Sequence, residues 1–139
     1  MDELFASLMG WAVSLSGYAT PATLPDIAAV PHATLEAAAC AGRHCKVLGW
    51  FPPGQRIYID DRLDPRQSLY ASSIVVHEMV HYLQQQSGRY AAPYTCDQAM
   101  AMEREAYAAQ QEYLVRYGVY EPVGISMHNA GCVLTAEQH

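Results

Sequence analysis

Apolar positions along this chain recur at two different spacings. Over residues 3–16, Leu4, Leu8, Trp11, Ala12 and Leu15 follow helical spacing and mark an amphipathic packing helix. In "QRIYIDD", Ile57 and Ile59 alternate with Tyr58 and Asp60, which is the period of a short strand. That strand can pair with "KVLGWF" across the turn "PPGQ". Helical spacing then returns, with Leu69, Ser73, Val76, Val80 and Leu83 along one stripe. Asp64 fits the N-cap of this helix, Pro65 its first position and Gln67 the capping box, while Ser87 and Gly88 supply a stop. After the loop "AAPY", Thr95 and Gln98 form a second capping box and Gly118 a second stop, framing a further helix. The expected order is helix, small sheet or hairpin, helix, helix and an irregular tail: an α+β chain, mostly α.

Composition narrows this picture. The 139 residues are 51% apolar and 16% charged, the make-up of a folded chain, and read as one domain over 1–139. A net charge of −6 with no Lys/Arg cluster excludes a nucleic-acid partner. Lys46 is the chain's one lysine, so no polybasic membrane contact exists. The stretch "LFASLMGWAVSLSGYA" is too short and interrupted for stable membrane insertion, and Asp2 and Glu3 stand where a signal peptide carries positive charge. Cys40, Cys45, Cys96 and Cys132 allow three pairings. Cys40 with Cys45 would close a small loop around "AGRH", leaving Cys96 for Cys132; a zinc knuckle of Cys40, His44 and Cys45 competes, without a second cysteine pair at ligand spacing. Disulfides imply an oxidising compartment, hence an exported protein, periplasmic or secreted.

The sharpest chemical signal lies within the second helix, "HEMVH" over residues 77–81. Residues four apart project from nearly one side, about 40° apart, so the imidazoles of His77 and His81 can share one Zn²⁺. Glu78 is rotated away by about 100°, outside the coordination sphere but within reach of a water on the metal. Zinc acidifies that water, and the carboxylate takes its proton and later delivers it to a leaving amine. The spacing therefore carries a mechanism, whereas two isolated histidines would be ordinary core or surface residues.

A catalytic zinc needs a third protein ligand. Glu103 and Glu105 lie about 200° apart on the last helix and cannot both face one ion. Cys96, Met100, Ala106, Tyr107, Gln110 and Leu114 gather around Glu103, whereas Ala109 and the surface pair Glu112–Arg116 gather around Glu105. A carboxylate on the more apolar, buried face needs a cationic partner. Glu103 is therefore the expected ligand and Glu105 the solvated residue, with a helical hairpin folding Glu103 back over the histidines.

His77-Glu78-Met79-Val80-His81, followed about twenty residues later by Glu103-Arg104-Glu105-Ala106-Tyr107, resembles the gluzincin group of zinc metallopeptidases. The resemblance implies a minimal zincin-like domain with an active-site helix and a glutamate helix. It implies zinc held by His77, His81 and Glu103, Glu78 as general base and acid, and a peptide or protein as substrate. It departs at Tyr107, where many members carry an aspartate bonded to the first histidine. In such enzymes the strand before the active helix binds substrate by strand addition, here residues 56–60. The metzincin pattern does not fit, since "HYLQQQSGRY" lacks a third histidine. His128 is the expected donor to a transition-state oxyanion, held near the glutamate helix if Cys132 joins Cys96; Tyr107, Tyr113 and Tyr120 are the other candidates. His32, His44 and His139 have no partner spacing and read as surface residues. Two functions remain open: a zinc-dependent peptide-bond hydrolase, or a non-catalytic zinc-containing binding or assembly module. An intact Glu78 favours the first.

Overall fold

The computed structural model describes residues 2–125. It is α+β, about half helical, with four helices and a three-stranded sheet among the described residues: α1 (Glu3–Ser16), β1 (Ile27–Val30), α2 (His32–Ala39), β2 (Gly49–Trp50), β3 (Ile57–Asp60), α3 (Leu69–Ser87) and α4 (Cys96–Arg116). His128, His139 and Cys132 lie outside the described residues, as does the Cys96–Cys132 pairing, although Cys96 is not a free thiol.

α3 is the axis of the fold. It packs along α4 and α1 and against β2 and β3, so the expected single stripe becomes burial on nearly all sides. Ala71, Val75, Val76, Met79, Val80 and Leu83 are all at most 1% exposed. Each large aliphatic side chain so enclosed contributes about 1.5–3 kcal/mol relative to exposure. The stripe fails at one end, because Leu69 is 37% exposed.

The start of α3 also differs from expectation. Asp64 caps a separate turn, accepting from the Arg66 N–H through its side chain and from the Gln67 and Ser68 N–H groups through its carbonyl. Ser68 is extended (φ −133°, ψ 123°) and is the true N-cap, its hydroxyl accepting from the Ala71 N–H at 3.1 Å. Asp-Pro satisfies its own short turn, and the extended serine redirects the chain before the helix proper begins. The remaining boundaries follow the expected chemistry. Gly88 closes α3 with φ 71°, a left-handed value suited to glycine, and Thr95 with Gln98 forms the capping box of α4. Leu8 and Ala12 of α1 are buried, and Trp11 packs edge-on against Tyr113 of α4 at 5.7 Å.

The sheet has the order β1-β3-β2. β2 runs antiparallel to β3, as the "PPGQ" turn demands, with Gly49 opposite Ile59. β1 and α2 are additions that the hydrophobic pattern did not reveal: β1 is four residues flanked by prolines, and it pairs parallel with β3, Ile27 opposite Ile57. β3 is thereby central and hydrogen-bonded on both edges. Residues 56–60 cannot accept an extra strand, which overturns the substrate-binding role expected of them. Among the described residues, β2 is the strand beside α3 with an unpaired side in this sheet.

Cys40 and Cys45 form the expected disulfide, which removes the competing zinc knuckle because both sulfurs are bonded to one another. The bridge is compatible with an oxidising, exported location, and no described helix is long and apolar enough to cross a membrane. His32 is not a free surface residue. Its Nδ1 lies 2.8 Å from Asp60 Oδ2 and its Nε2 2.9 Å from the Cys45 carbonyl, tying α2 to the end of β3 and to the disulfide loop. His44 stays fully exposed, touching Glu36 at 3.2 Å.

Asp60 is fully buried and receives Nε and Nη2 of Arg62 at 2.9 and 2.6 Å. The adjacent Arg62 guanidinium, opposed by burial and helped by the Arg62 N–H and His32, lowers its carboxyl from an ordinary 3.8 to about 2. A depressed carboxyl stabilises the fold fully above its unfolded value and loses that contribution as pH falls towards the folded one. Acid unfolding followed by circular dichroism should therefore draw on Asp60 between pH 3.8 and about 2, and Arg62→Ala should move the acid midpoint to higher pH.

Candidate metal centre

His77 and His81 leave the same side of α3, ring centroids 5.0 Å apart and nearly perpendicular. α4 crosses them and delivers Glu103. Its Oε1 lies 2.8 Å from His81 Nε2 and its Oε2 3.3 Å from His77 Nε2. Candidate ligand atoms of the three residues all fall within 4.8 Å of one another. The group is buried: His77 is 2% and Glu103 6% exposed. The helix winding expected from sequence thus brings His77, His81 and Glu103 together, and Glu105 points elsewhere.

Glutamine amides aim both imidazoles. The Gln110 Oε1 lies 3.0 Å from His77 Nδ1, and its Nε2 donates to the Ser73 hydroxyl at 3.1 Å. Ser73 has committed its own proton to the Tyr70 carbonyl at 2.6 Å, so it can only accept from Gln110. Gln110 therefore presents its oxygen to His77, whose Nδ1 must donate. The Gln84 amide nitrogen likewise donates to the Met102 carbonyl and to Glu105 at 2.9 and 3.0 Å, leaving its Oε1 for His81 Nδ1 at 2.8 Å. In each case Nε2 is left to face Glu103.

Electron-rich atoms then converge. His77 Nε2 and Glu103 Oε2 are buried and lack any hydrogen-bond partner. A neutral imidazole lone pair held 3.3 Å from a carboxylate oxygen is unfavourable without a cation between them. Nitrogen, nitrogen and carboxylate oxygen form the donor set of a divalent transition metal, so these residues fit such an ion. Considering the protein groups alone, burial opposes charge on both partners, yet Glu103 holds His81 up to about 9, and the two histidines hold the Glu103 carboxyl well below the usual range. The cluster demands positive charge beside Glu103.

Glu78 sits apart from the three. Its Oε2 is 4.0 Å from His77 Nε2, and the residue is 1% exposed. Burial raises its pKa, against the pull of both histidines. Gly49 of β2 lies directly over it: a Cβ there would stand 2.9 Å from Ile74 Cγ2 and 3.0 Å from Glu78 Cγ. His77 and Glu78 line a cleft of about 240 Å³ whose other walls include Lys46, Tyr70, Tyr107 and Val123.

Tyr107 occupies the place where the resemblance expected an aspartate. Its ring packs edge-on against His77 at 4.5 Å and makes no hydrogen bond to it; Gln110, three residues on, takes that role instead. Of the other oxyanion candidates, Tyr113 is core at 3% exposure and Tyr120 is 76% exposed, so Tyr107 is the tyrosine of that group lining the cleft. Glu105, expected in solvent, is half-buried beneath Tyr18 and Tyr90, which donate to it at 2.5 and 2.8 Å. The residues that sequence reasoning missed are Gln84, Gln110, Ser73 and Gly49. The available signal was a polar residue three from His81 and another seven from Glu103, the latter on the face assigned to the core. Comparison with known protein families, with curated proteins and with solved structures finds no match for this chain.

Titration with a divalent metal should raise the melting temperature, and a chelator should reverse the gain; at a thousandfold excess over Kd, binding contributes about 4 kcal/mol. Glu103→Ala should weaken binding beyond the roughly 10–100-fold typical of losing an outer hydrogen-bond partner. Gly49→Ala, which forces a Cβ into Ile74 and Glu78, should cost about 1–3 kcal/mol in denaturant unfolding.

Proposed function

We propose that this chain is a zinc-dependent peptide-bond hydrolase of the gluzincin type. The observation that carries the reading is the division of labour among four buried side chains. His77, His81 and Glu103 converge on one point, while Glu78 from the same turn stands beside that point and opens on the cleft. Zinc bound there would supply a Lewis acid and lower the pKa of water.

The protein groups account for the rest. Glu103 contributes the anionic ligand and offsets part of the metal charge. Gln84 and Gln110 keep both Nε2 atoms aimed without consuming them. The Glu78 carboxylate, desolvated and pressed by Gly49, is a base whose affinity for a proton is raised by burial. It is placed to accept a proton at Oε2 and to return it to a leaving amine. Leu48, Ile74 and Val123 give the cleft an apolar wall beside Glu78, and the side of β2 left unpaired among the described residues offers backbone groups to an extended peptide.

A structural metal site would gain nothing from a buried, uncoordinated carboxylate at position 78, which costs free energy to desolvate. That is the reason for preferring the enzyme over a binding or assembly module. Glu78→Gln should retain stoichiometric zinc by metal analysis and lose about 10²–10⁴-fold in peptide hydrolysis. If the unmodified protein holds zinc yet leaves a diverse peptide library intact, the hydrolase reading fails and the binding module replaces it.

A further inference from the structure

Behind His81 stands a carboxylate that none of the steps above uses. Glu105 collects four donors: Tyr18 Oη at 2.5 Å and Gln84 Nε2 at 3.0 Å on Oε1, Tyr90 Oη at 2.8 Å and Arg89 Nη1 at 3.3 Å on Oε2. Four donors and no acceptor describe an ionised carboxylate. We propose that Glu105 is a positioning residue of the metal centre, acting on His81 through the Gln84 amide.

The amide is the transmitting element because its orientation is forced. Both of its hydrogens are engaged, one by the Met102 carbonyl at 2.9 Å and one by Glu105, so its oxygen must face His81 Nδ1. An anion at the N–H end of an amide polarises it and makes its oxygen a stronger acceptor. That pull on Nδ1–H makes Nε2 more electron-rich and holds the ring in the plane that points Nε2 at Glu103. The equivalent chain behind His77 runs Gln110, Ser73, Tyr70 carbonyl and ends without charge. The two histidines are therefore unequal, His81 the stronger donor. A carboxylate bonded directly to a ligand histidine is the common arrangement at metal sites; here it is displaced outward by one amide. The groups that hold it come from the segment after α1 (Tyr18) and the α3–α4 loop (Arg89, Tyr90), so the centre is linked to elements outside the two helices that carry its ligands.

The inference rests on the reading of His81 as a metal ligand, but its test has a metal-independent arm. Glu105→Gln keeps an acceptor for Gln84 and removes the charge. In the metal-free protein, the His81 Nδ1–H proton resonance should move upfield while that of His77 stays in place. Arg89→Gln changes a largely exposed side chain and leaves the Glu105 charge less neutralised, so it should move the same resonance downfield. Zinc affinity by chelator competition should fall about tenfold in Glu105→Gln. A general loosening of the site would shift both histidines together; that result, or no shift in either variant, would overturn the relay. Failure of the unmodified protein to bind zinc would instead sink the proposed function, with the two proton resonances still deciding whether Glu105 acts on His81.

Discussion

A carboxylate held between two imidazoles inside the protein is the interaction around which the other features arrange themselves. Glu103 is 6% exposed, and an ionised carboxylate in that setting is tolerable only with positive charge beside it. α3 and α4 are pressed together over their length to make this meeting possible, with Ala106 and Ala109 fully buried at the contact. Small residues let the helices approach, and the approach brings Glu103 within 3.3 Å of both Nε2 atoms. The hydrophobic core and the polar centre are thus two consequences of one helix pair.

Neutral amides then do what a charged partner would do less selectively. A carboxylate against each Nδ1 would add two more negative charges to a pocket already holding Glu78 and Glu103. Glutamine supplies the acceptor geometry at no added charge, and the single outer carboxylate, Glu105, is screened by Arg89 and two tyrosines. Tyr107 fits the same logic, giving His77 an aromatic wall where an aspartate would have enlarged the negative charge. On the opposite side, the lack of a side chain at Gly49 lets β2 lie against Glu78, so the sheet edge, the Glu78 carboxylate and the cleft share one wall.

How far this could be read from the sequence differs by the range of the interactions involved. The four-residue spacing of His77 and His81 and the winding of α4 are local regularities, and they anticipate the meeting of His77, His81 and Glu103. The caps at Thr95 and Gly88 are equally local. Asp64 misled because aspartate before proline satisfies an isolated turn as readily as a helix start, and what separates them is the extended Ser68. β1 escaped notice because four residues between prolines bury too little to show a period, and it persists by pairing with β3; α2 buries only Leu35 and so shows no stripe, and it is held by packing on the sheet. That pairing also moved β3 to the centre of the sheet and transferred the free side to β2. Glu105 was assigned to solvent because Tyr18 and Tyr90, which cover it, come from other parts of the chain. His32 was missed for the same reason, its partners Asp60 and Cys45 being brought to it by the sheet and the disulfide loop.

Anomalous X-ray diffraction at the zinc edge, from crystals grown with stoichiometric zinc, tests the central claim most directly. The account predicts one strong peak bonded to His77 Nε2, His81 Nε2 and a Glu103 carboxylate oxygen at about 2.0–2.2 Å, with Glu78 outside bonding distance. A peak elsewhere on the chain, or one at the histidines with Glu103 turned away and another side chain in its place, would contradict it.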